Sequence, residues 1–260
     1  MSNQIHSTAI ISKETQLGDN IKIGPYSVIM GKVTIGDGCD IKHHVNIQGT
    51  TSIGKNCQIW HSASVGGDPQ DLKYKGKDTK LTIGDNCIIR ELVTIHRGTE
   101  LGGFISSIGD NCFLMHGCHV AHDCQLGNNV IMAAFVHLGG HVTVGNHVTL
   151  GGFSLIIPHA MIGDYSMTGA ATYLRMDLAP FVIATGAYKP NAWQINSVRL
   201  DRLDYSKEDI KIAADIFTIY FKQNFTSDQA LAKIKQEYGS HHFGEVFLNF
   251  VTNSRLGILR

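Results

Sequence analysis

An aliphatic residue returns at every sixth position along most of this chain, and neither a helix nor a single sheet strand produces that beat. It runs through Leu114, Val120, Leu126, Met132, Leu138, Val144, Leu150, Ile156 and Ile162, with a small residue four places after nearly every one. The same register runs from Ile5 to Val65 and again from Ile83 to Leu101. An α-helix needs a period near 3.6 and a half-buried strand a period of 2, so one long element of either kind is excluded. Short strands joined by tight turns remain, with three hexads, or eighteen residues, closing one coil.

Each coil buries its aliphatic residues inside a triangular prism and passes its backbone hydrogen bonds to the coils above and below. This predicts a mainly β protein, a parallel β-helix in which no repeat is stable alone. Twenty-four full hexads, or eight coils, fit between Ile5 and Tyr173. Two segments leave the beat: residues 67–82, GDPQDLKYKGKDTKLT, which carry charge and one proline, and the shorter residues 102–107. Loops extruded from a rigid scaffold are favoured places for function, although a solvated excursion needs no function at all. Residues 174–199 lose the beat again and contain Pro180 and Pro190. From Ser206 the period becomes helical, with Ile210, Ala213, Ala214, Phe217, Tyr220 and Phe221 on one face. Thr226 and Gln229 form a capping-box pattern, Gly239 is a natural stop, and a third helix is expected near Phe243–Asn253. The expected division is 1–190 for the β-helix with its two excursions and 191–260 for a small helical domain.

With 22 basic and 22 acidic residues the formal charge is zero, which gives no electrostatic case for nucleic acid or an anionic membrane surface. No stretch approaches the roughly 18 apolar residues of a membrane span, and MSNQIHSTAI lacks a signal-peptide pattern, so a cytoplasmic protein is expected. The six cysteines (Cys39, Cys57, Cys87, Cys112, Cys118 and Cys124) each fall four places after a hexad aliphatic residue. That is the small inward slot, where a thiol behaves as a buried apolar group rather than as a nucleophile.

The fourteen histidines are the feature the beat does not explain. His116, His119, His122, His137, His141, His147 and His159 take outward positions. At eighteen residues per coil, His119 lies under His137, and Asp123, His141 and His159 form a neighbouring column at about 4.8 Å per rung. Any single one of these can be an exposed turn histidine without further meaning. A zinc site is a second reading, but His116 and His122 project from different prism faces and converge only with help from a neighbouring chain. The third is general-base catalysis by an imidazole beside a carboxylate, with His122 and Asp123 supplied by HVAHDC. Spacing leaves zinc and general base close.

The hexads, QDLKY in the first excursion, TIHRGT at Thr94–Thr99, HVAHDC, GGHV at Gly139–Val142 and a helical tail ending SRLGILR resemble the UDP-N-acetylglucosamine acyltransferases of lipid A synthesis over essentially the whole chain. The resemblance implies a left-handed β-helix and direct transfer of a 3-hydroxyacyl group from acyl carrier protein to the 3-hydroxyl of UDP-N-acetylglucosamine, without metal or cofactor. It makes His122 the general base, Asp123 its support and the Gly140 N–H the oxyanion donor. His119 and His141 hold the sugar and the polar part of the acyl chain. Gln70, Asp71 and Lys73 contact the nucleotide sugar, and Asn196 and Arg202 match uridine- or phosphate-side positions. The family is a homotrimer with clefts between neighbouring prisms; the related N-acyltransferase carries an extra N-terminal domain ahead of its hexads, which here begin at Ile5.

Departures from the pattern fall on substrate contacts. Ile157-Pro158 stands where most members carry His-Gln, AYKPNAWQIN replaces a run of small residues, and Leu203 replaces a second arginine after Arg202. Such changes bear on specificity and leave room for an altered acceptor, such as a 3-amino sugar yielding an amide. A zinc-dependent hydratase and a non-catalytic scaffold are the readings of another class. Ala170 matches the position that closes the acyl groove; a spacing of about 2.7 coils, roughly 13 Å above His122, predicts a donor of about ten to twelve carbons.

Overall fold

A computed structural model describes residues 2–260, Met1 lying outside the described residues. The architecture is a left-handed parallel β-helix whose short strands form three sheets of eleven, nine and eight strands, followed by a small helical domain. Pairing follows the eighteen-residue repeat: Asp40 pairs with Gln58, Phe113 with Ile131, and His119 with His137. At the excursions the interval lengthens. Ser64 pairs with Thr94, thirty residues on, and Thr94 with His119, twenty-five on, so the chain leaves the prism by twelve and then seven residues. Because pairing dictates where the coil rejoins, strands resume at Lys80 and Ile105, inside both segments that lose the beat, and the second excursion begins at Arg97, ahead of Gly102.

The hexad aliphatics fill the prism interior; Ile47, Ile89, Leu114, Val120, Met132 and Leu150 have no solvent exposure, the fit expected where residues of one type must stack without voids. All six cysteines are buried and unpaired. Cys118 and Cys124 give their S–H to carbonyls one coil up, Ala133 at 3.0 Å and Gly139 at 3.1 Å. Burial pushes the Cys118 thiol up to about 11 and the Cys124 thiol to about 12, so neither supplies a thiolate.

Residues 174–199 contain two strands that the beat does not announce. Val182–Thr185 extends the first sheet, and Asn191–Ile195 folds back on it antiparallel, so the sheet continues past residue 190 and the helices begin with α1, Ser197–Asp201. α2 (Lys207–Phe217) starts on a Ser206/Asp209 capping box, α3 (Ser227–Tyr238) on a Thr226/Gln229 box with Gly239 as its C-cap, and α4 covers His242–Asn253. α2 ends in a π-helical turn, Thr218–Lys222, whose extra width buries Ile219 and Tyr220 together. Phe181 of the prism packs against Phe243 and Phe247 of α4, which docks the domain on the last coils.

Candidate active site

Three successive coils turn the corner between the second and third sheets with the second turn residue left-handed: φ is 61° at Asp123, 61° at His141 and 67° at His159. Short polar residues tolerate that region better than branched ones, which accounts for this column. The His141 and His159 rings stack at 4.5 Å, and the His141 N–H donates to the His122 carbonyl at 3.0 Å.

One residue before this column, the His122 ring lies half-buried with Nδ1 2.7 Å from Asp123 Oδ2. A carboxylate only accepts, so Nδ1 carries the hydrogen and Nε2 keeps its lone pair. The ring tip points at Gly140: a Cβ there would lie 2.8 Å from Nε2 and 2.7 Å from Cε1, so no residue but glycine leaves the imidazole in place. Neither the His122 nor the Gly140 backbone N–H has a partner among the described residues. Both groups open onto a cleft of about 320 Å³ that also takes in Gln70, His119, His137 and the exposed apolar Leu155. A second cavity, of about 520 Å³, lies on the other flank of the same ridge, against Asp123, His141, His159, Gln125 and Arg255.

His119 is set by the rung beneath it. Its Nδ1 meets the Thr94 hydroxyl at 2.7 Å, and the buried His96 ring packs edge-on against it at 5.0 Å. Burial pushes its pKa down to about 4, with the neighbouring His96, His137 and His122 adding to the effect, so it is uncharged at neutral pH. Burial likewise lowers His141 and His96. Next along the same strip, the buried Arg97 guanidinium holds the Gly66 carbonyl and Asp68 and so pins the start of the first excursion. Thr99 then bonds both oxygens of Asp123. None of Thr94, His96, Arg97 or Thr99 carries a role in the sequence reading, although TIHRGT contains all four. The twenty-five-residue offset between Thr94 and His119 is the signal that links the first of them to the site.

The remaining candidates divide by location. Gln70 reaches the cleft; Asp71 accepts the Lys73 N–H at 2.9 Å and its charge acts on His141, while the Lys73 side chain is exposed. Asn196, only 4% exposed, occupies the N-cap position of α1 without a side-chain cap bond and gives its side-chain N–H to the Tyr165 carbonyl, while Arg202 is exposed at the end of that helix. α1 lies against the first sheet, where Arg199 reaches Thr149 at 2.5 Å. Ala170 occupies the corner between the first and second sheets. Within one prism these three do not meet His122.

His122, Asp123 and His141 bring donor atoms within 4.8 Å of one another, the spacing a metal ion needs. Yet Asp123 Oδ2 already accepts from His122 Nδ1 and the Thr99 hydroxyl, and Oδ1 accepts from the Thr99 N–H. A metal would have to displace those bonds, so the donor set is arranged for orienting an imidazole.

Residues 14–49 and 106–140 match the bacterial transferase hexapeptide family (six repeats), and the prism with its corner imidazole places the chain among hexapeptide-repeat transferases. Residues 177–259 match the family described as UDP N-acetylglucosamine O-acyltransferase, domain 2. The acyl-[acyl-carrier-protein]–UDP-N-acetylglucosamine O-acyltransferase of Myxococcus xanthus is 35% identical, covering 99% of this chain and 99% of its own. That of Neisseria meningitidis serogroup B is 40% identical over 98% and 99%. The crystal structure of the Moraxella catarrhalis UDP-N-acetylglucosamine O-acyltransferase superposes with a TM-score of 0.96 at 37% identity, covering 98% of this chain and 99% of that one. The chain belongs to the UDP-N-acetylglucosamine O-acyltransferase family.

Proposed function

We propose that this protein transfers a 3-hydroxyacyl group from acyl carrier protein to the 3-hydroxyl of UDP-N-acetylglucosamine, the first step of lipid A synthesis, in the cytoplasm. The observation that carries the reading is the His122 ring, tied at Nδ1 by Asp123 and presenting Nε2 beside the free Gly140 N–H in a cleft. Nε2 takes the proton of the sugar hydroxyl as its oxygen attacks the thioester carbonyl, and the Asp123 charge supports the imidazolium that forms. The Gly140 N–H meets the oxyanion, an interaction worth about 3 kcal/mol in comparable sites. Collapse expels the carrier thiolate, which regains the proton from the imidazolium; ester and thiol leave. His119, neutral and fixed by Thr94, and His141 hold the sugar and the polar part of the acyl chain, while Gln70, Asp71 and Lys73 approach the nucleotide from the excursion.

Asn196, Arg202 and Ala170 enter only if a second prism sets its first sheet and the adjoining corner against this ridge, and a homotrimer supplies that arrangement. No described helix is long and apolar enough to cross a membrane. The experiment that tests the reading is a transfer assay with UDP-N-acetylglucosamine and its 3-amino analogue against a ladder of 3-hydroxyacyl carrier proteins. The expected acceptor is the hydroxyl sugar, with a donor of about ten to twelve carbons set by Ala170. Clear preference for a fourteen-carbon donor refutes the role of Ala170, and amide formation alone refutes the acceptor.

A further inference from the structure

The second excursion contributes nothing to the chemistry above, yet it closes over the carboxylate that supports it. Thr99, 2% exposed, donates its backbone N–H to Asp123 Oδ1 at 2.6 Å and its hydroxyl to Oδ2 at 2.7 Å. The Gly102 N–H donates to that same hydroxyl oxygen at 3.2 Å, which turns the Thr99 proton toward the carboxylate. Gly102 itself lies so close that a Cβ would stand 1.9 Å from Asp123 Cγ. Where the excursion rejoins the coil, Ser106 Oγ accepts the Asp123 backbone N–H at 2.8 Å. The left-handed backbone of Asp123 and both of its carboxylate oxygens are therefore held by residues of one short loop.

We propose that Thr99 is a positioning residue for acyl transfer: it fixes the plane of the Asp123 carboxylate so that Oδ2 accepts the His122 Nδ1–H and Nε2 faces the acceptor hydroxyl. This rests on the reading of His122 as the general base. A carboxylate that has lost the Thr99 hydroxyl shares its charge with fewer donors and is free to rotate about its Cβ–Cγ bond. It then pulls harder on the imidazolium and takes a proton more readily itself, and both effects move the acid limb of the rate profile the same way, to higher pH. The other charged or titratable groups facing the pair are His96, His119, His137, His141, His159, Asp71 and Arg255, all of which the substitution leaves in place.

The test compares Thr99→Val, which keeps the shape and the backbone N–H but loses the hydroxyl, with Thr99→Ser, which restores it. Thr99→Val is expected to lower kcat roughly ten- to hundredfold, the weight of one hydrogen bond to a charged group, with KM for the nucleotide sugar nearly unchanged. Its acid limb of kcat/KM moves up, and Thr99→Ser returns both to wild-type values. A readout independent of turnover is the His122 Nδ1–H proton resonance, expected far downfield in the wild type and in Thr99→Ser and shifted or broadened in Thr99→Val. Wild-type kcat in Thr99→Val overturns the proposal, as does an activity loss matched by loss of folded protein with the acid limb and the resonance unmoved. A wild type that transfers no acyl group but shows the resonance change refutes the acyltransfer reading and leaves the Thr99–Asp123–His122 geometry standing.

Discussion

Two corners of the prism are built from the same repeat and put to opposite uses. Between the third and first sheets, the first residue of each turn is usually Asp or Asn, and its side-chain oxygen caps the turn N–H of the coil before it. Asp110 N–H is accepted by Asn128, Asn128 N–H by Asn146 and Asn146 N–H by Asp164, at 2.8, 2.9 and 2.6 Å. Between the second and third sheets the corresponding residues are His122, Gly140 and Pro158. Two of these leave their N–H without a partner among the described residues, and the proline has none to offer. One corner spends its backbone donors on stability, and the other holds them in reserve for a ligand. Binding sites in repeat proteins arise by such omissions, since the scaffold supplies the geometry whether or not the local groups are satisfied.

The largest effect that separates the corners comes from converting carboxylate to amide. Asp123→Asn should cut kcat roughly a thousandfold or more, because the amide no longer dictates the His122 tautomer. Asp164→Asn keeps an acceptor for the Asn146 N–H and should leave both kcat and the melting temperature close to wild type; comparable losses in the two variants would erase the distinction. Next is Gly140→Ala, whose Cβ meets the His122 ring within 2.8 Å. A fall in kcat of about a hundredfold in a folded protein is expected, read by steady-state kinetics beside circular dichroism. Asn146→Ala, which uncaps Asn128, should cost about 1 kcal/mol in urea unfolding and leave transfer unchanged.

The smallest effect concerns acid. The His119 pKa is pushed down by burial from 6.5 to about 4, so as pH falls below 6.5 the unfolded chain binds a proton that the native chain refuses. That contribution to stability is present above pH 6.5 and is lost as pH falls through about 4. His119→Gln should flatten the fall of the melting temperature across this window, and an unchanged slope would mean that His119 protonates freely in the native state.

Much of this was legible because stacking turns an eighteen-residue interval into a contact. The column Asp123, His141, His159 and the pair His119 and His137 follow from arithmetic alone, and so does the inward burial of the six cysteines. Thr99 was not legible, since it sits in an excursion whose register is broken and whose approach to Asp123 depends on the path of the loop. Arg97 reads as one more surface cation until its guanidinium is seen buried beneath the first excursion. Asn196 matched a ligand-side position in the sequence but has its side-chain N–H engaged by Tyr165, while the hairpin ending at Ile195 pairs through backbone groups that need no hexad signal.

The account rests on a single nitrogen, His122 Nε2. Its most direct test is the rate of acyl transfer by His122→Ala at saturating donor and nucleotide sugar, alongside calorimetric binding of the sugar. The account predicts retained binding and a kcat lower by roughly a hundred- to ten-thousandfold, the range a positioned general base supplies. Turnover at the wild-type rate would contradict it.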